Sequence, residues 1–402
     1  MGLRRHPVDD PVERKVRYLI VGGGLAADAA CRGIREHDRD GEILLVSEEP
    51  HPPYARPPLS KALWKGDKEE TIWRLTANLG VRERLGRTIV RIDPDERRAV
   101  DDQGGEYVYE RLLLATGGRP RRLPFGGDEV VYFRTLTDYH RLRRLVGANR
   151  RFLVIGGGFI GSEIAAALAL NDCRVTIVFP EAGIGARVFP PELSTALNDY
   201  YRNRGVEVVP EATVSGIERR DAGERVAFAD GRVVDADAVV AGIGIEPNVE
   251  LAADAGLPVA DGIVVDAYGR VSGRDDVYAA GDVARFPAGG LAGELRVEHE
   301  DHAKSHGLLV GANMAGAHER YDHLPFFYSD LFEVGYEAVG ELDARLDTLV
   351  DWSRPEGEGT IIYLDRQRRP RGVLLWNRFG HLDAARELIR AGEPVGEEVR
   401  IG

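Results

Sequence analysis

Two glycine-rich turns are the segments of this chain best suited to chemistry, because each could bind the pyrophosphate of a dinucleotide. Residues 22–27 read Gly-Gly-Gly-Leu-Ala-Ala and residues 156–161 read Gly-Gly-Gly-Phe-Ile-Gly. Glycines let the backbone approach the phosphates, and the N-terminus of a following helix supplies N–H donors and a positive dipole end. Two such turns indicate two dinucleotides, and therefore electron transfer between them. The binding residues expected from the pattern are Gly22, Gly24, Leu25 and Ala26 in the first turn, and Gly156, Gly158 and Gly161 in the second.

Each turn lies between elements that would hold it in place. An apolar, strand-like run precedes it (residues 18–21 and 152–155), a helix-like run rich in alanine follows, and a second apolar run comes next (residues 43–46 and 175–178). This order of strand, turn, helix and strand predicts a βαβ unit at each site. In the first turn Ala27 replaces the third glycine, and it is small enough to permit close packing.

An acidic residue at the end of the second strand of such a unit accepts hydrogen bonds from a ribose. Glu48 has this position in the first unit, with Glu49 beside it, and Glu181 is the candidate in the second. A carboxylate repels the 2′-phosphate of NADPH, so Glu181 favours NADH. Arg187 is near enough in the sequence to accept that phosphate, and the alternative specificity stays open.

The distribution of strands predicts how the domains are connected. A strand ending in glycine follows each unit (residues 112–118 and 239–244), and a third such strand, residues 277–282, has no turn of its own. We therefore expect the third strand to return to the first domain, with the second domain inserted between. After residue 324 the apolar residues alternate in short runs, which predicts an antiparallel sheet with a closing helix at residues 382–389.

The predicted fold class is α/β, with two Rossmann-like dinucleotide-binding domains, the second inserted in the first, and a C-terminal α+β domain with an antiparallel sheet. A length of 402 residues agrees with several domains, because single cores rarely grow beyond about 250–300 residues. The expected limits are 14–127 and 249–322 for the two parts of the first domain, 128–248 for the second domain and 323–402 for the C-terminal domain.

Composition narrows the classes of function. The net charge of −13 disfavours nonspecific nucleic-acid binding, which depends on neutralising phosphates. No apolar run approaches the ~20 residues of a membrane-spanning helix, so no membrane span is expected. The two cysteines, Cys31 and Cys173, form no CxxC pair. Their number and spacing exclude a disulfide-framework protein and favour a reducing, cytoplasmic location.

Five segments together carry a resemblance to a known family. They are residues 56–61 (Arg-Pro-Pro-Leu-Ser-Lys), 115–118, 281–282, 297–303 and 329–340. They resemble the FAD-dependent pyridine nucleotide reductases, in the branch that contains the ferredoxin reductases and apoptosis-inducing factor. The last two segments are more similar to apoptosis-inducing factor, but the long C-terminal insertion of its animal form is missing. The chain is therefore most like a short apoptosis-inducing factor-like protein, and the likeness covers nearly all of it.

The resemblance implies FAD in the first domain, NAD(H) in the second, and a C-terminal domain that closes over the flavin. Tyr328 departs from the family, which has a tryptophan at this position near the flavin and the nicotinamide. The implied flavin-contacting positions are Glu48, Glu49, Arg56, Lys61, Val90, Ala115, Thr116, Gly117, Arg134, Gly281, Asp282, His299, Glu300 and Tyr328. The implied nicotinamide-dinucleotide positions are Gly158, Phe159, Ile160, Glu181, Arg187, Gly244, Glu298, Glu337 and Asn377.

The resemblance also implies three catalytic positions. Lys61 would pair with Glu163 beside the reactive nitrogen of the flavin, and Phe159 would cover the flavin until the nicotinamide displaces it. A cation near that nitrogen favours an electron-rich flavin. From the residues alone, a surface position is favoured for Lys61, and the neighbouring Ser60 could cap a helix.

Three interpretations of function follow from the resemblance. The leading one is an NADH:acceptor oxidoreductase that passes electrons from FAD to a carrier protein, a quinone or oxygen, without a redox-active disulfide. The second is a dedicated ferredoxin or rubredoxin reductase, whose acidic partner would require a basic patch on an acidic protein. The third is a redox-responsive binding protein like apoptosis-inducing factor, in which a long-lived reduced FAD–NAD complex changes partner affinity or the formation of a homodimer.

Three histidines, His299, His302 and His306, have the spacing of one helical face. Such spacing is compatible with metal ligands. A helix whose N-terminus faces the flavin, with His299 near the ring and His306 as an ordinary helix residue, explains the segment better. No metal site is therefore expected.

Overall fold

The computed structural model describes residues 14–221, 223–288, 293–354 and 357–396. In this part of the chain no helix is both long enough and apolar enough to cross a bilayer. The described α-helices are α1 Leu25–His37, α2 Leu136–Leu145, α3 Phe159–Leu170, α4 Pro191–Arg202, α5 Glu250–Asp254, α6 Glu300–Met314 and α7 Leu382–Ala391. Short 3-10 helices span Pro57–Ser60, Ala62–Trp64, Glu69–Ile72, Thr76–Leu79, Gly127–Glu129 and Gly281–Val283.

The strands are short and numerous. In chain order they are β1 Arg14–Val21, β2 Ile43–Ser47, β3 Arg82–Leu85, β4 Ile89–Asp93, β5 Arg98–Asp101, β6 Glu106–Leu114, β7 Gly118–Pro120, β8 Val130–Tyr132, β9 Arg151–Ile155, β10 Arg174–Val178, β11 Val206–Val209, β12 Val214–Arg220, β13 Gly223–Phe228, β14 Val233–Ala236, β15 Ala238–Ala241, β16 Ile245–Pro247, β17 Val259–Ala260, β18 Gly262–Val264, β19 Val277–Ala279, β20 Ala284–Pro287, β21 Glu294–Leu295, β22 Phe326–Leu331, β23 Val334–Gly340, β24 Asp347–Arg354, β25 Glu358–Leu364 and β26 Pro370–Trp376.

The described residues divide into two compact units. The first unit contains residues up to 55, 73–118 and 247–323, and the second contains 56–72, 119–246 and residues from 324 onward. The segment 56–72, which carries Lys61, thus groups with the residues of the second glycine turn. The three-domain limits expected from the sequence stay predictions.

The first unit is built on a mixed sheet in the order β3-β2-β1-β6-β5-β4, with β19 beside β6. β1 is parallel to both β2 and β6, and β2 is a continuous buried run, as expected of a strand covered on both faces. β19 is parallel to β6, so the chain returns to this sheet as expected. On one face α1 packs closely against α6, because Gly307 and Gly311 lie directly against the backbone of α1.

The second unit contains a parallel sheet in the order β11-β10-β9-β15-β8 and an antiparallel sheet in the order β22-β23-β26-β25-β24. The apolar helix α3 packs against β9 and β10, and α7 packs against β23 and β26. A stacked pair, Tyr336 on Trp376 with 5.5 Å between ring centroids, lies in the core beside the edge of Phe189. The predicted fold class, with two Rossmann-type sheets and a C-terminal antiparallel sheet, is confirmed.

Candidate active site

The first glycine turn has the geometry of a phosphate cradle. Gly22 has a φ of +126°, and a Cβ there would collide with the carbonyl oxygen of Ala115. At Gly24, the N-cap of α1, a Cβ would meet no atom within 4 Å. The first intrahelical bond runs from the Asp28 N–H to the Gly24 carbonyl, so the earlier amides have no intrahelical acceptor. The open space above these donors fits a pyrophosphate.

The acids at the end of β2 have different environments. Glu48 directly follows the last strand residue, Ser47, and is exposed. Glu49 is half-buried and accepts a hydrogen bond of 2.5 Å from the hydroxyl of Tyr54. The exposed Glu48 is therefore the freely approachable carboxylate at this strand end, which is the position from which a ribose would be bound.

The chain segment after β6 is held by one asparagine. The hydroxyl of Thr116 donates to the carbonyl of Asn248 at 2.8 Å, and the N–H of Asn248 donates to the carbonyl of Gly117 at 3.0 Å. Gly117 has a φ of +62°, which glycine adopts without strain. Val90, in contrast, lies on β4 with its side chain mostly exposed.

The remaining predicted flavin positions of the first unit cluster at the start of α6. Gly281 has a φ of +76°, and a Cβ there would press on the side chain of Ala26 in α1. Asp282 lies in the same 3-10 turn, and its carbonyl accepts from Arg296, which also bonds Glu298 at 2.7 Å. The structure thus places Ala26, Gly281 and Asp282 together, and places His299 at the N-cap of α6 with Glu300 in its first turn.

The histidines of α6 form a buried aromatic cluster. His302 stacks on Phe286 with 4.5 Å between centroids, and its Nδ1 lies 3.0 Å from the hydroxyl of Tyr321. His306 stacks against His302 and accepts from the N–H of Gly281 at 3.4 Å. Among the described residues no group of three or more metal-ligating side chains is placed to hold an ion.

This cluster predicts that folding stability falls in acid. Burial lowers the pKa of His306 from 6.5 to about 3 and that of His302 well below 6.5. At a pH between the lowered pKa of the folded state and the ordinary pKa of about 6.5, these histidines are protonated in the unfolded chain but neutral in the folded one. The free energy of unfolding is therefore highest above about pH 6.5 and decreases as the pH falls below it. The expected slope is up to about 1.4 kcal/mol per pH unit for each histidine.

Urea unfolding of the cofactor-loaded protein between pH 7.5 and 4.5 would measure this slope. His306→Gln should flatten it, whereas replacing the exposed His37 by glutamine should leave it unchanged. A slope that is the same in the wild type and in His306→Gln would contradict the assignment.

The second glycine turn is tighter than the first. A Cβ at Gly156, where φ is +112°, would collide with the carbonyl of Gly242, and a Cβ at Gly161 would collide with the carbonyl of Gly156. At Gly158, the N-cap of α3, a Cβ would meet no atom within 4 Å. Phe159 and Ile160 then begin the helix, and Ile160 is exposed. The same open space at an N-cap again fits a pyrophosphate.

Glu181 and Arg187 form an ion pair beside this turn. The guanidinium of Arg187 lies 2.8 Å from Oε1 of Glu181, with the Arg187 side chain 84% exposed and that of Glu181 26% exposed. Gly244 lies three residues after the end of β15 and has a φ of +94°. The acid expected to bind the ribose is therefore paired, in this structure, with the arginine expected to accept a phosphate.

The predicted catalytic pair is present within the second unit. Nζ of Lys61 lies 2.7 Å from Oε1 of Glu163, and the two side chains are only 11% and 3% exposed. Glu163 also accepts from the hydroxyls of Ser60 and Ser329, each at 2.5 Å. A buried carboxylate is thus surrounded by one cation and two hydroxyl donors.

Aromatic side chains lie next to this pair. Nζ of Lys61 is 5.4 Å from the centre of the Tyr328 ring, a distance typical of a cation–π contact. The half-buried ring of Phe159 lies 5.3 Å from that of Phe327. Arg56 belongs to the same segment as Lys61, and its guanidinium donates a hydrogen bond of 3.2 Å to the carbonyl of Arg134.

Two predicted nicotinamide positions lie on or beside the antiparallel sheet. Oε2 of Glu337 on β23 is buried and has no hydrogen-bond partner among the described residues, and burial raises the pKa of this carboxyl. The side-chain oxygen of Asn377 accepts from the N–H of Gly335, and the N–H of Asn377 donates to the carbonyl of Gly335. The side-chain amide of Asn377 also donates to the carbonyl of Gly357. A buried carboxylate oxygen without a hydrogen-bond donor fits a site in which a ligand amide or hydroxyl donates to Glu337.

Sequence reasoning missed two members of the site. Ser60 does not cap a helix; it ends the 3-10 helix Pro57–Ser60 and donates to Glu163. Ser329 is distinguished in the sequence only by its place in a family motif. Nothing in the spacing of residues 60, 163 and 329 shows that their side chains meet, because that depends on how a loop, a helix and a strand pack.

The chain matches known protein families and relatives over most of its length. The family model described as pyridine nucleotide-disulphide oxidoreductase matches residues 16–307, and one described as apoptosis-inducing factor, mitochondrion-associated, C-term, matches residues 310–359. Apoptosis-inducing factor 1, mitochondrial, of Dictyostelium discoideum is 32% identical over 93% of this chain and 78% of its own. The ferredoxin–NAD(+) reductase component of the anthranilate 1,2-dioxygenase system of Burkholderia cepacia is 34% identical over 93% of this chain and 94% of its own.

A solved structure extends the comparison to the fold. The covalent putidaredoxin reductase–putidaredoxin complex contains a chain that matches with a TM-score of 0.88 and 32% identity, covering 94% of each chain. The predicted class, an FAD- and NAD(H)-dependent oxidoreductase, is confirmed by these matches. The chain belongs to the pyridine nucleotide-disulphide oxidoreductase family, in the branch of the ferredoxin reductases and apoptosis-inducing factor.

Proposed function

We propose that this protein oxidises NADH and delivers the electrons through FAD to a small iron–sulphur carrier protein. The observation that carries the proposal is the buried pair of Lys61 and Glu163, fixed by two hydroxyls in the second unit. Two matches that cover 94% of the matched protein's length support this class of acceptor: a ferredoxin–NAD(+) reductase component and a chain of the covalent putidaredoxin reductase–putidaredoxin complex. Bound FAD supplies the step between two-electron oxidation of NADH and one-electron delivery to the carrier.

The side chains of this protein have distinct roles in the proposal. The Lys61 ammonium would supply positive charge to the bound flavin, and Glu163 would hold that ammonium in place. Phe159 would shield the flavin until the nicotinamide binds, and Glu181 would bind the ribose of NADH. Because Lys61 and Glu163 are largely shielded from water, their charges act in a low dielectric and are effective over short distances.

The remaining residues would hold the two dinucleotides. The proposed flavin contacts are Gly22, Gly24, Leu25, Ala26, Glu48, Glu49, Arg56, Val90, Ala115, Thr116, Gly117, Arg134, Gly281, Asp282, His299, Glu300 and Tyr328. The proposed nicotinamide-dinucleotide contacts are Gly156, Gly158, Ile160, Gly161, Arg187, Gly244, Glu298, Glu337 and Asn377.

No thiol relay takes part in the proposed reaction. Cys31 and Cys173 are both free and buried, and burial raises the pKa of each thiol. A thiol that stays protonated is a poor nucleophile, so neither residue is suited to disulfide exchange. The free thiols also support the proposed cytoplasmic location, which fractionation of the producing cells would test.

The acceptor is tested by steady-state assays with NADH on the FAD-loaded protein. We expect rapid cytochrome c reduction only when an iron–sulphur carrier such as a ferredoxin or rubredoxin is added. Menadione and oxygen serve as alternative acceptors of the quinone and oxygen classes. Faster NADH oxidation with either of them than with every carrier tested would contradict the proposed acceptor.

A second candidate function is a redox-responsive binding protein. The match of residues 310–359 to the C-terminal model of apoptosis-inducing factor supports it. In that case NADH would reduce the flavin once, the complex with NAD would persist in air, and the molar mass in solution would shift to that of a homodimer. Anaerobic NADH titration, followed by exposure to air and light scattering, separates this function from turnover with a carrier.

A further inference from the structure

The Glu163 carboxylate has more donors than a simple ion pair requires. Its Oε1 accepts from Lys61 at 2.7 Å and from the Ser329 hydroxyl at 2.5 Å, and its Oε2 accepts from the Ser60 hydroxyl at 2.5 Å. Ser60 and Ser329 are 5% and 1% exposed. Water is largely excluded from these bonds, so each hydroxyl that is lost leaves a buried carboxylate oxygen short of a donor.

The two serines approach the carboxylate from different elements. Ser60 ends the 3-10 helix Pro57–Ser60, whose prolines restrict the backbone, and it directly precedes Lys61. Glu163 lies in α3, and Ser329 lies in β22. Because the residue pair Ser60–Lys61 and Ser329 together bond both oxygens, the carboxylate cannot rotate without breaking a hydrogen bond. The position of the Lys61 ammonium therefore depends on both serines.

Ser329 is itself held in place. It lies opposite Tyr336 in the register of β22 with β23, and both side chains are buried. The Tyr336 ring is stacked on Trp376 in the core. Ser329 is therefore a buried residue of a paired strand, beside a rigid aromatic pair.

We infer that Ser60 and Ser329 are positioning residues that orient Glu163 and, through it, hold the Lys61 ammonium where it influences the flavin. The inference rests on the proposed catalytic role of Lys61. Neither serine would contact the flavin or the nicotinamide; each acts through the Glu163 carboxylate. Loss of either hydroxyl should therefore misplace the ammonium and weaken its effect on the flavin.

The test measures anaerobic flavin reduction by NADH in stopped flow, together with the midpoint potential of the bound flavin. Ser60→Ala and Ser329→Ala should each slow reduction about tenfold, the effect of one lost hydrogen bond to a charged group. Both should make the potential more negative. Cysteine is nearly the same size as serine but a weak hydrogen-bond donor, so Ser329→Cys should behave like Ser329→Ala. It replaces Ser329→Ala in the test if the alanine variant does not fold.

Two comparisons separate positioning from a general loss of structure. Ser194 is equally buried and donates to the carbonyl of Ile184, so Ser194→Ala should reduce stability and leave the potential unchanged. In a Lys61→Ala background both serine substitutions should change the rate less than twofold, because the group they position is gone.

Tenfold effects that persist in the Lys61→Ala background, or an unchanged potential in both serine variants, would overturn the inference. No acceptor enters these measurements, so failure to reduce an iron–sulphur carrier would refute the proposed function and leave this inference standing. Conversely, serine variants that behave like the wild type would refute the inference alone.

Discussion

Replacing Lys61 by alanine slows the reduction of bound flavin by NADH about 10²- to 10³-fold, the usual cost of removing one preorganised electrostatic group. The physical reason is the location of the ammonium in a site that is 11% exposed for Lys61 and 3% for Glu163. Shielding from water increases the effect of the charge on a neighbouring ring. Stopped-flow absorbance at the flavin maximum, without oxygen, measures the rate directly.

The same substitution also affects stability, and the two effects have to be separated. Lys61→Ala leaves the Glu163 charge buried without its cation, which typically costs about 3–5 kcal/mol. The double variant Lys61→Met/Glu163→Gln removes both charges and should recover much of that stability. It should nevertheless remain slow in flavin reduction, because no cation is restored.

Lys65 provides the matched control for Lys61. It belongs to the same segment, it is exposed, and its ammonium donates a long hydrogen bond of 3.4 Å to the carbonyl of Phe332. Lys65→Ala should therefore reduce flavin at the wild-type rate. If Lys61→Ala does so as well, Lys61 has no part in the mechanism.

The sequence was most informative where the backbone alone creates the site. At Gly22, Gly156 and Gly161 a side chain would collide with a carbonyl group, so the local chain geometry requires glycine and leaves a visible pattern. The strand that leads to Gly281 was likewise placed correctly, because parallel strands ending in glycine share an apolar pattern. Local sequence and local structure are directly linked in these cases.

The sequence was least informative where separate elements meet at one side chain. The pairing of Lys61 with Glu163 came from a family resemblance, and no periodicity connects residues 61 and 163. The serine donors 60 and 329 were missed for the same reason. The ion pair between Glu181 and Arg187 depends on the path of the loop after β10, which the order of residues does not determine.

Replacing Glu181 by alanine should reverse much of the preference for NADH. The variant loses an acceptor for the ribose hydroxyls, and the guanidinium of Arg187, now 2.8 Å from that carboxylate, is released. A free, exposed guanidinium can bind a 2′-phosphate by charge-assisted hydrogen bonds. We expect kcat/KM to fall about tenfold for NADH and to rise about tenfold or more for NADPH, from one charged hydrogen bond in each case.

The double variant Glu181→Ala/Arg187→Ala distinguishes the two causes. It should keep the loss with NADH but gain nothing with NADPH, because the phosphate-binding cation is absent. Arg345→Ala is the matched control, since Arg345 is also an exposed arginine paired with a nearby acid, Asp343. It should leave the coenzyme preference unchanged. Equal use of NADPH and NADH by the wild type would show that Glu181 does not discriminate between them, because its charge would then be neutralised by Arg187 even when the coenzyme is bound.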